Sequence, residues 1–408
     1  MLISDRCRKV SPSVTLEIAA QAQQLRNEGR DIISMNTGEP DFDTPLHIKA
    51  AAMEAIQEGK SKYTPVPGTP KLRAAIVRKL EKENNLSYTV DEVMASTGGK
   101  QAIYNALMAV IDKGDEVIMA SPYWASYPEM IKMAEGQPVI IETSYEQNYK
   151  INPLQLKSAI TPYTKMIILN SPSNPTGIYY NESDLQAIAN ILVEHPKIII
   201  LTDDVYEKIL YAEENFINIV NVVPSLKDRT IIINSLSKAY AMTGWRLGYA
   251  AAPRELIQAM TKIQSQSTSN PCSITQSAAI EALGKLSREP VQEMLHKYKG
   301  RHTVTCERLS KLPGTKYLAA EGAFYLLPDM TELIQMLGLN DDIELTKFLL
   351  DKANVSVVPG SAFGAKNHIR ISFATSKTMI NCAFDNIERA ISEALDVKPE
   401  SEETNTEN

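Results

Sequence analysis

The 408-residue chain is poor in cysteine and histidine, has no surplus of positive charge and contains no long apolar run. Its four cysteines, Cys7, Cys272, Cys306 and Cys382, stand far apart with no CxxC pair. That excludes a disulfide framework and reads as reduced thiols in a cytoplasmic protein. Five histidines (His47, His195, His296, His302 and His368) show no HExxH-like spacing, so no metal site is expected. With 42 Lys and Arg against 49 Asp and Glu, the net charge is −7. A basic face for nucleic acid or an anionic membrane is therefore not expected, whereas a small anionic ligand needs only a local positive pocket. No apolar stretch approaches the ~20 residues of a membrane span. The N-terminus, MLISDRCRKV, places charges where a signal peptide needs an apolar core, so a soluble protein is expected.

What is present is ordinary globular material, 44% hydrophobic and 22% charged. The length favours two packed units over one core. EVIMAS (116–121), PVIIET (138–143), KMIILN (165–170), KIIILTD (197–203) and RTIIINS (229–235) read as strands buried on both faces. Between and around them, residues 100–111, 183–195 and 255–264 carry apolar side chains at helical spacing. The alternation predicts an α/β fold with a mostly parallel sheet covered by helices, its ligand site beyond the carboxyl ends of the strands. AFYLLPD (323–329), ELTKFLLDKA (344–353), VSVVPG (355–360) and HIRISFA (368–374) suggest a smaller α+β unit. No Gly/Ser linker precedes it, so a continuous helix near 287–312 is expected to join the two. The acidic, apolar-poor end reads as disordered.

Four loops, each placed after a predicted strand, could do chemistry. In NSLSKAYAMTGWRLGY (234–249), Lys238 follows a buried strand among small and apolar residues. Desolvation there would disfavour its ammonium and leave a nucleophilic amine, although an isolated SxxK more often ends a strand at the surface. Ser235, Ser237 and Arg246 add hydroxyls and a guanidinium suited to phosphate. STGGKQAIYNAL (96–107) is a glycine-rich turn opening a helix, which can bind phosphate through backbone N–H groups or simply start a helix. In LNSPSNPTG (169–177), Asn174 lies between prolines, either as a structural Asx-turn or as an amide held in a fixed direction. In LTDDVYEKI (201–209), Asp203 and Asp204 close an apolar strand, where a carboxylate is costly unless paired. A protonated pyridine nitrogen or an arginine would serve.

Over residues 11 to 391 the chain resembles the fold-type-I, class I pyridoxal 5′-phosphate (PLP) aminotransferases, and within them the bacterial thermophile-type aspartate or aspartate/prephenate subgroup. The stretches that carry the resemblance include GEPDFDTP (38–45), KYTPVPGTPKLR (62–73), SPYWASYPEM (121–130), NSPSNPTG (170–177), SKAYAMTGWRLGY (237–249), VVPGSAFG (357–364) and RISFATS (370–376). The resemblance implies an N-terminal arm over 1–14 and a small domain from 15–45 and 312–397. It also implies a large PLP-binding domain over 46–311, followed by the acidic tail 398–408. It makes Lys238 the Schiff-base lysine and Asp203 the partner of the pyridine nitrogen. Asn174 and Tyr206 then hydrogen-bond the ring oxygen, Trp124 stacks on the ring, and Gly99, Lys100, Ser235, Ser237 and Arg246 surround the phosphate. Gly38 and Arg370 match positions at the substrate α-carboxylate, with Trp124 and Asn174 also touching substrate. Tyr63 matches a tyrosine that reaches the neighbouring subunit's cofactor, which implies a homodimer with shared active sites. The family commonly has Glu where this chain has Asp204; Asp203 is preferred for the ring because Tyr206 follows three residues later.

The resemblance assigns the distal end of a dicarboxylic substrate to Lys100 and Thr15, which places Lys100 at the substrate side chain as much as at the phosphate. The expected reaction is a ping-pong exchange of the amino group between L-aspartate and 2-oxoglutarate, with prephenate as an alternative acceptor. Another fold-type-I enzyme, such as a C–S lyase, would use the same Lys238 and Asp203, and a non-enzymatic regulator would lack Lys238 or Arg370 or carry an added DNA-binding segment.

Overall fold

Five runs of β-branched residues become neighbouring strands of one sheet in the computed structural model, which describes residues 2–396. The tail expected over 398–408 lies outside the described residues. In chain order the strands are β1 (Ile33–Ser34), β2 (Val93–Ser96), β3 (Glu116–Ser121), β4 (Gln137–Glu142), β5 (Thr164–Asn170) and β6 (Ile199–Asp203). They continue as β7 (Thr230–Ser235), β8 (Gly248–Ala251), β9 (Tyr325–Leu326), β10 (Val355–Ser356), β11 (Val358–Pro359) and β12 (Ile369–Ser372). The main sheet has seven strands in the order β2-β8-β7-β6-β5-β3-β4. Strand β8 runs antiparallel to both its neighbours, and every other pairing is parallel. Strands β2, β3, β5, β6 and β7 consequently end on the same edge.

Alternation along each strand splits the core into two layers. Ile232 packs with Ile118, Ile167 and Ile200 on one face, while Ile231 and Ile233 pack with Met166, Ile168 and Leu201 on the other. This period-two sorting, with apolar residues on both faces, requires helices above and below the sheet. The helix Gly99–Val110 belongs to one layer, and the helices Pro70–Asn84 and Ser273–Ala282 to the other. Strand β4 corrects the expectation of burial on both faces. It is the outer strand of the sheet, its Ile140 is 44% exposed, and only Ile141 is buried, because one flank has no partner to cover it.

A separate apolar cluster gathers Ile33, Met35, Tyr325, Val355, Ile371, Phe373 and Phe384 around the small sheets β1-β10 and β11-β12-β9. The helix Arg288–Leu309 runs through both cores, with Val291 and Met294 in the first and Tyr298 and Leu309 in the second. Arg301 on this helix forms a two-pronged ion pair with Asp41 at 2.6 and 2.7 Å, and Phe42 beside it packs against both clusters. Residues 38–45 are thereby fixed as a strap between the two packed bodies. Near the N-terminus the Ser11 N–H donates to Glu129 at 2.8 Å. No helix among the described residues is long and apolar enough to cross a membrane.

One buried ion pair anchors the turn after β6. Lys79 donates to Glu207 and, at 2.8 Å, to Asn84 Oδ1, while Asn84 Nδ2 donates to Glu207 at 2.6 Å. Lys79 is 3% and Glu207 8% exposed, so removing one partner strands a charge in the interior. Lys79→Met should destabilise the protein by about 3–5 kcal/mol, and adding Glu207→Leu should recover most of the loss. Urea unfolding of the two variants checks this, and an equal loss in both would contradict it.

Candidate active site

At the edge where β5, β6 and β7 end lies a cavity of about 470 Å³. All the expected site residues except Tyr63 line it. Strand β7 ends at Ser235, whose side chain accepts from the Ser237 N–H at 3.1 Å and so starts the short helix Leu236–Ala239. Lys238 sits in this turn, half-buried, and its Nζ donates to the Gly38 carbonyl. Burial, and then the Arg370 cation, bring the Lys238 pKa down to about 8; Glu39 and Asp203 oppose the shift and Arg246 adds to it. A large fraction of neutral amine near pH 8 follows.

Asp203 closes β6 and is 6% exposed. The Tyr127 hydroxyl donates to its Oδ2 at 2.7 Å, yet burial still pushes the carboxyl up to about 6. Asp204 turns to the opposite face, where Asn218 Nδ2 donates to it at 2.7 Å, and it does not line the cavity. Strand alternation thus separates the two aspartates and leaves Asp203 as the one on the cavity side.

A cradle for an anion lies beside Lys238. Gly99 opens the helix Gly99–Val110, and its N-cap, Gly98, contributes no side-chain hydrogen bond. Gly98 has φ +90°, and a Cβ there would collide with the Arg246 guanidinium. A Cβ on Gly248 would collide with the backbone N of Gly99. Ser235 Oγ donates to Ser237 Oγ at 2.8 Å, and Arg246 Nη1 donates to the Thr243 carbonyl at 2.8 Å. Uncapped helix N–H groups, two hydroxyls and one guanidinium therefore converge where only glycine backbone fits, a donor set matched to a phosphate.

On the other wall, Arg370 of β12 is 3% exposed. Its guanidinium lies 4.5 Å from the Tyr325 ring centroid and 4.9 Å from that of Phe363. It donates to Asn174 Oδ1 at 3.0 Å and to the Asn36 carbonyl at 2.8 Å, and its Nε has no partner among the described residues. Both acceptors are neutral, which leaves a buried cation able to take an anion. Tyr206 and Tyr325 join hydroxyls at 3.0 Å behind it. Lys100 Nζ lies 4.9 Å above the Trp124 ring, its pKa lowered by burial and by Arg246. Thr15, one residue into the helix Val14–Asn27, completes that wall. Tyr63 is 93% exposed and lies outside the cavity of its own chain.

Sequence reasoning passed over Tyr127, Glu39, Asn36 and Tyr325. Tyr127 stood three residues after Trp124 in SPYWASYPEM, and Tyr325 lay inside an apolar run where its hydroxyl needs a partner. Those were the available signals. Asn36 contributes only its carbonyl, which no sequence pattern marks.

The model of the family "Aminotransferase class I and II" matches residues 30–387. An aspartate/prephenate aminotransferase of Nitrosomonas europaea is 46% identical over 397 residues, covering 96% of this chain and 98% of its own. An aspartate aminotransferase of Bacillus sp. YM-2 is 45% identical over 390 residues, covering 96% and 99%. Among solved structures, the aspartate aminotransferase of Thermus thermophilus with maleate superposes with a TM-score of 0.91 at 41% identity, covering 96% of this chain and 100% of that one. The enzyme of Rhizobium meliloti gives 0.92 at 40% identity, covering 96% and 99%. The chain belongs to the aminotransferase class I and II family, whose enzymes depend on pyridoxal phosphate.

Proposed function

We propose that this chain is an aspartate aminotransferase, exchanging the amino group between L-aspartate and 2-oxoglutarate to give oxaloacetate and L-glutamate. The observation that carries the reading is one cavity lined by a lysine, Lys238, whose pKa burial lowers to about 8, and by a buried guanidinium, Arg370, whose acceptors are neutral. Relatives at 42–45% identity that bear the name aspartate aminotransferase support the choice of substrate.

The donor sets fit PLP. The N-terminus of the helix Gly99–Val110, Ser235, Ser237 and Arg246 would hold its phosphate, with Lys100 close by. Asp203 would take its ring nitrogen, Asn174 and Tyr206 its ring oxygen, Trp124 its ring face, and Lys238 would bond its aldehyde carbon. When bound, the cofactor supplies the electron sink that lets a substrate α-proton leave. Asp203 is ionised above pH about 6, so at neutral pH it offers a fixed negative charge for a protonated nitrogen. Arg370 grips the α-carboxylate with two parallel N–H donors, beside Gly38, and so fixes which bond of the α-carbon faces Lys238. Lys238 Nζ would take the α-proton as general base and return it as general acid. Lys100 and Thr15 hold the distal carboxylate.

The working unit in this reading is a cytoplasmic homodimer. Exposed Tyr63 would reach the partner's cavity, and the exposed Leu46, Met53 and Ile56 on the helix Leu46–Gln57 would be covered by the second copy. The small domain, 15–45 with 312–397, then carries Arg370 over a large domain, 46–311, that carries Lys238. Prephenate is a second acceptor supported by the name of the Nitrosomonas relative, and Thr15 with Lys100 in the cavity wall is compatible with either acceptor.

The direct test adds aspartate, glutamate, alanine and phenylalanine singly to holoenzyme and follows conversion of the cofactor's visible band to its amino form. Fast conversion with aspartate and glutamate only is expected; a normal band unmoved by any of them would overturn the reaction. Arg370→Ala should weaken all amino-acid substrates alike, whereas Lys100→Ala should penalise dicarboxylic substrates at least tenfold more than alanine. Equal losses in Lys100→Ala count against this account of specificity. The raised pKa of Asp203 makes a separate prediction for cofactor-free protein. The folded carboxyl, at about 6, holds its proton more tightly than an unfolded one at 3.8, so its contribution to stability falls as the pH rises from about 4 to 6 and stays low above. The penalty is about 3 kcal/mol. Cofactor-free Asp203→Asn should therefore melt above wild type at pH 8, with the gap narrowing toward pH 4.

A further inference from the structure

Glu39 is, with Asp203, one of the two carboxylates that line the cavity. The lining carries four cationic side chains, Lys100, Lys238, Arg246 and Arg370, against these two anions. Asp203 is held by Tyr127 at the end of β6. Glu39 follows Gly38, whose carbonyl accepts from Lys238 Nζ, so its carboxylate comes from the same strap that touches the lysine. Thr243 Oγ1 donates to Glu39 Oε2 at 2.8 Å. The Thr243 carbonyl accepts from Arg246, which ties Glu39 to the phosphate cradle through one residue.

The strap itself is fixed against the loop that follows Lys238. Thr44 Oγ1 donates to the Ala241 carbonyl at 2.6 Å and accepts from Trp245 Nε1 at 3.0 Å, while Arg301 holds Asp41. We infer that Glu39 is a positioning residue for Lys238: its carboxylate, anchored by Thr243, holds the lysine's protonated form in place between the two proton transfers. The inference rests on the aminotransferase reading above. A protonated Lys238 meets the repulsive charges of Arg370 from β12 and Arg246 from the loop before β8, while the neutral hydroxyls of Tyr206 and Tyr325 line the same cavity. Asp203 lies on the side assigned to the ring nitrogen, which leaves Glu39 as the anion free to balance the lysine. The direction of its effect on Lys238, upward, agrees. Glu39 is exposed and its side chain makes one hydrogen bond, to Thr243, so the loss of its charge should leave the fold intact.

The test uses holoenzyme of wild type, Glu39→Gln, Glu39→Asp and Thr243→Val. Three quantities are read: the pH midpoint of the visible-band change of the bound cofactor, the pH dependence of the aspartate half-reaction, and the thermal midpoint. Glu39→Gln should move the band midpoint down by about half to one pH unit, with the half-reaction profile following and the thermal midpoint unchanged. Glu39→Asp should restore part of the shift. Should Glu39→Gln melt early, Thr243→Val supplies the same comparison, with a smaller shift in the same direction. A midpoint identical to wild type in a variant that keeps its band and its reaction with aspartate overturns the role of Glu39 and leaves the aminotransferase reading intact. Wild type that shows no lysine-linked visible band defeats that reading, and the inference with it.

Discussion

The Arg370 guanidinium is buried against Tyr325 and Phe363 and meets only neutral oxygens, Asn174 Oδ1 and the Asn36 carbonyl. Burying a cation without a counter-ion costs several kcal/mol even after relaxation. The fold tolerates the cost because two aromatic faces and two well-placed acceptors remain with the charge. An incoming carboxylate would complete the pairing and remove the penalty, so the cost in the free protein would become affinity for an anionic ligand. The same charge is the largest influence on the Lys238 pKa after burial itself. One residue thus readies the cavity for an anion and holds the neighbouring amine partly neutral.

Parallel strands bring this about by ending together. Asn170, Asp203 and Ser235 close β5, β6 and β7 on one edge, so the carboxylate, the hydroxyls and the lysine that follow them reach the same space. Arg370 comes from the second core, and the strap at 38–45 holds the two bodies in register through Asp41 with Arg301 and Thr44 with Trp245. The glycines at 98, 99 and 248 clear the remaining space, because a side chain at 98 or 248 would occupy the position of Arg246 or of the helix N-terminus.

Much of this was legible in the sequence, for physical reasons that differ from place to place. Strands β3, β5, β6 and β7 announced themselves because a strand covered on both faces must be apolar throughout. Strand β4 carries the same kind of residues but lies at the edge, and composition alone does not tell an edge from a centre. Strands β2 and β8 are four residues each, VMAS and GYAA, too short to show a pattern, and only pairing with neighbours makes them strands. In the site, motif residues such as Lys238, Asn174 and Asp203 stood out by type and spacing. Tyr127, Asn36 and Glu39 bring one hydroxyl, one carbonyl and one carboxylate from far along the chain, and only the folded geometry sets these against Asp203, against Arg370 and in the cavity that Lys238 lines.

The central claim is that a single amine, that of Lys238, bonds the cofactor in this cavity. Holoenzyme reduced with borohydride, digested and mapped by mass spectrometry tests it most directly. A pyridoxyl label on Lys238 alone is expected. A label on Lys100 or any other lysine, or protein that carries the cofactor yet yields no label, would contradict it.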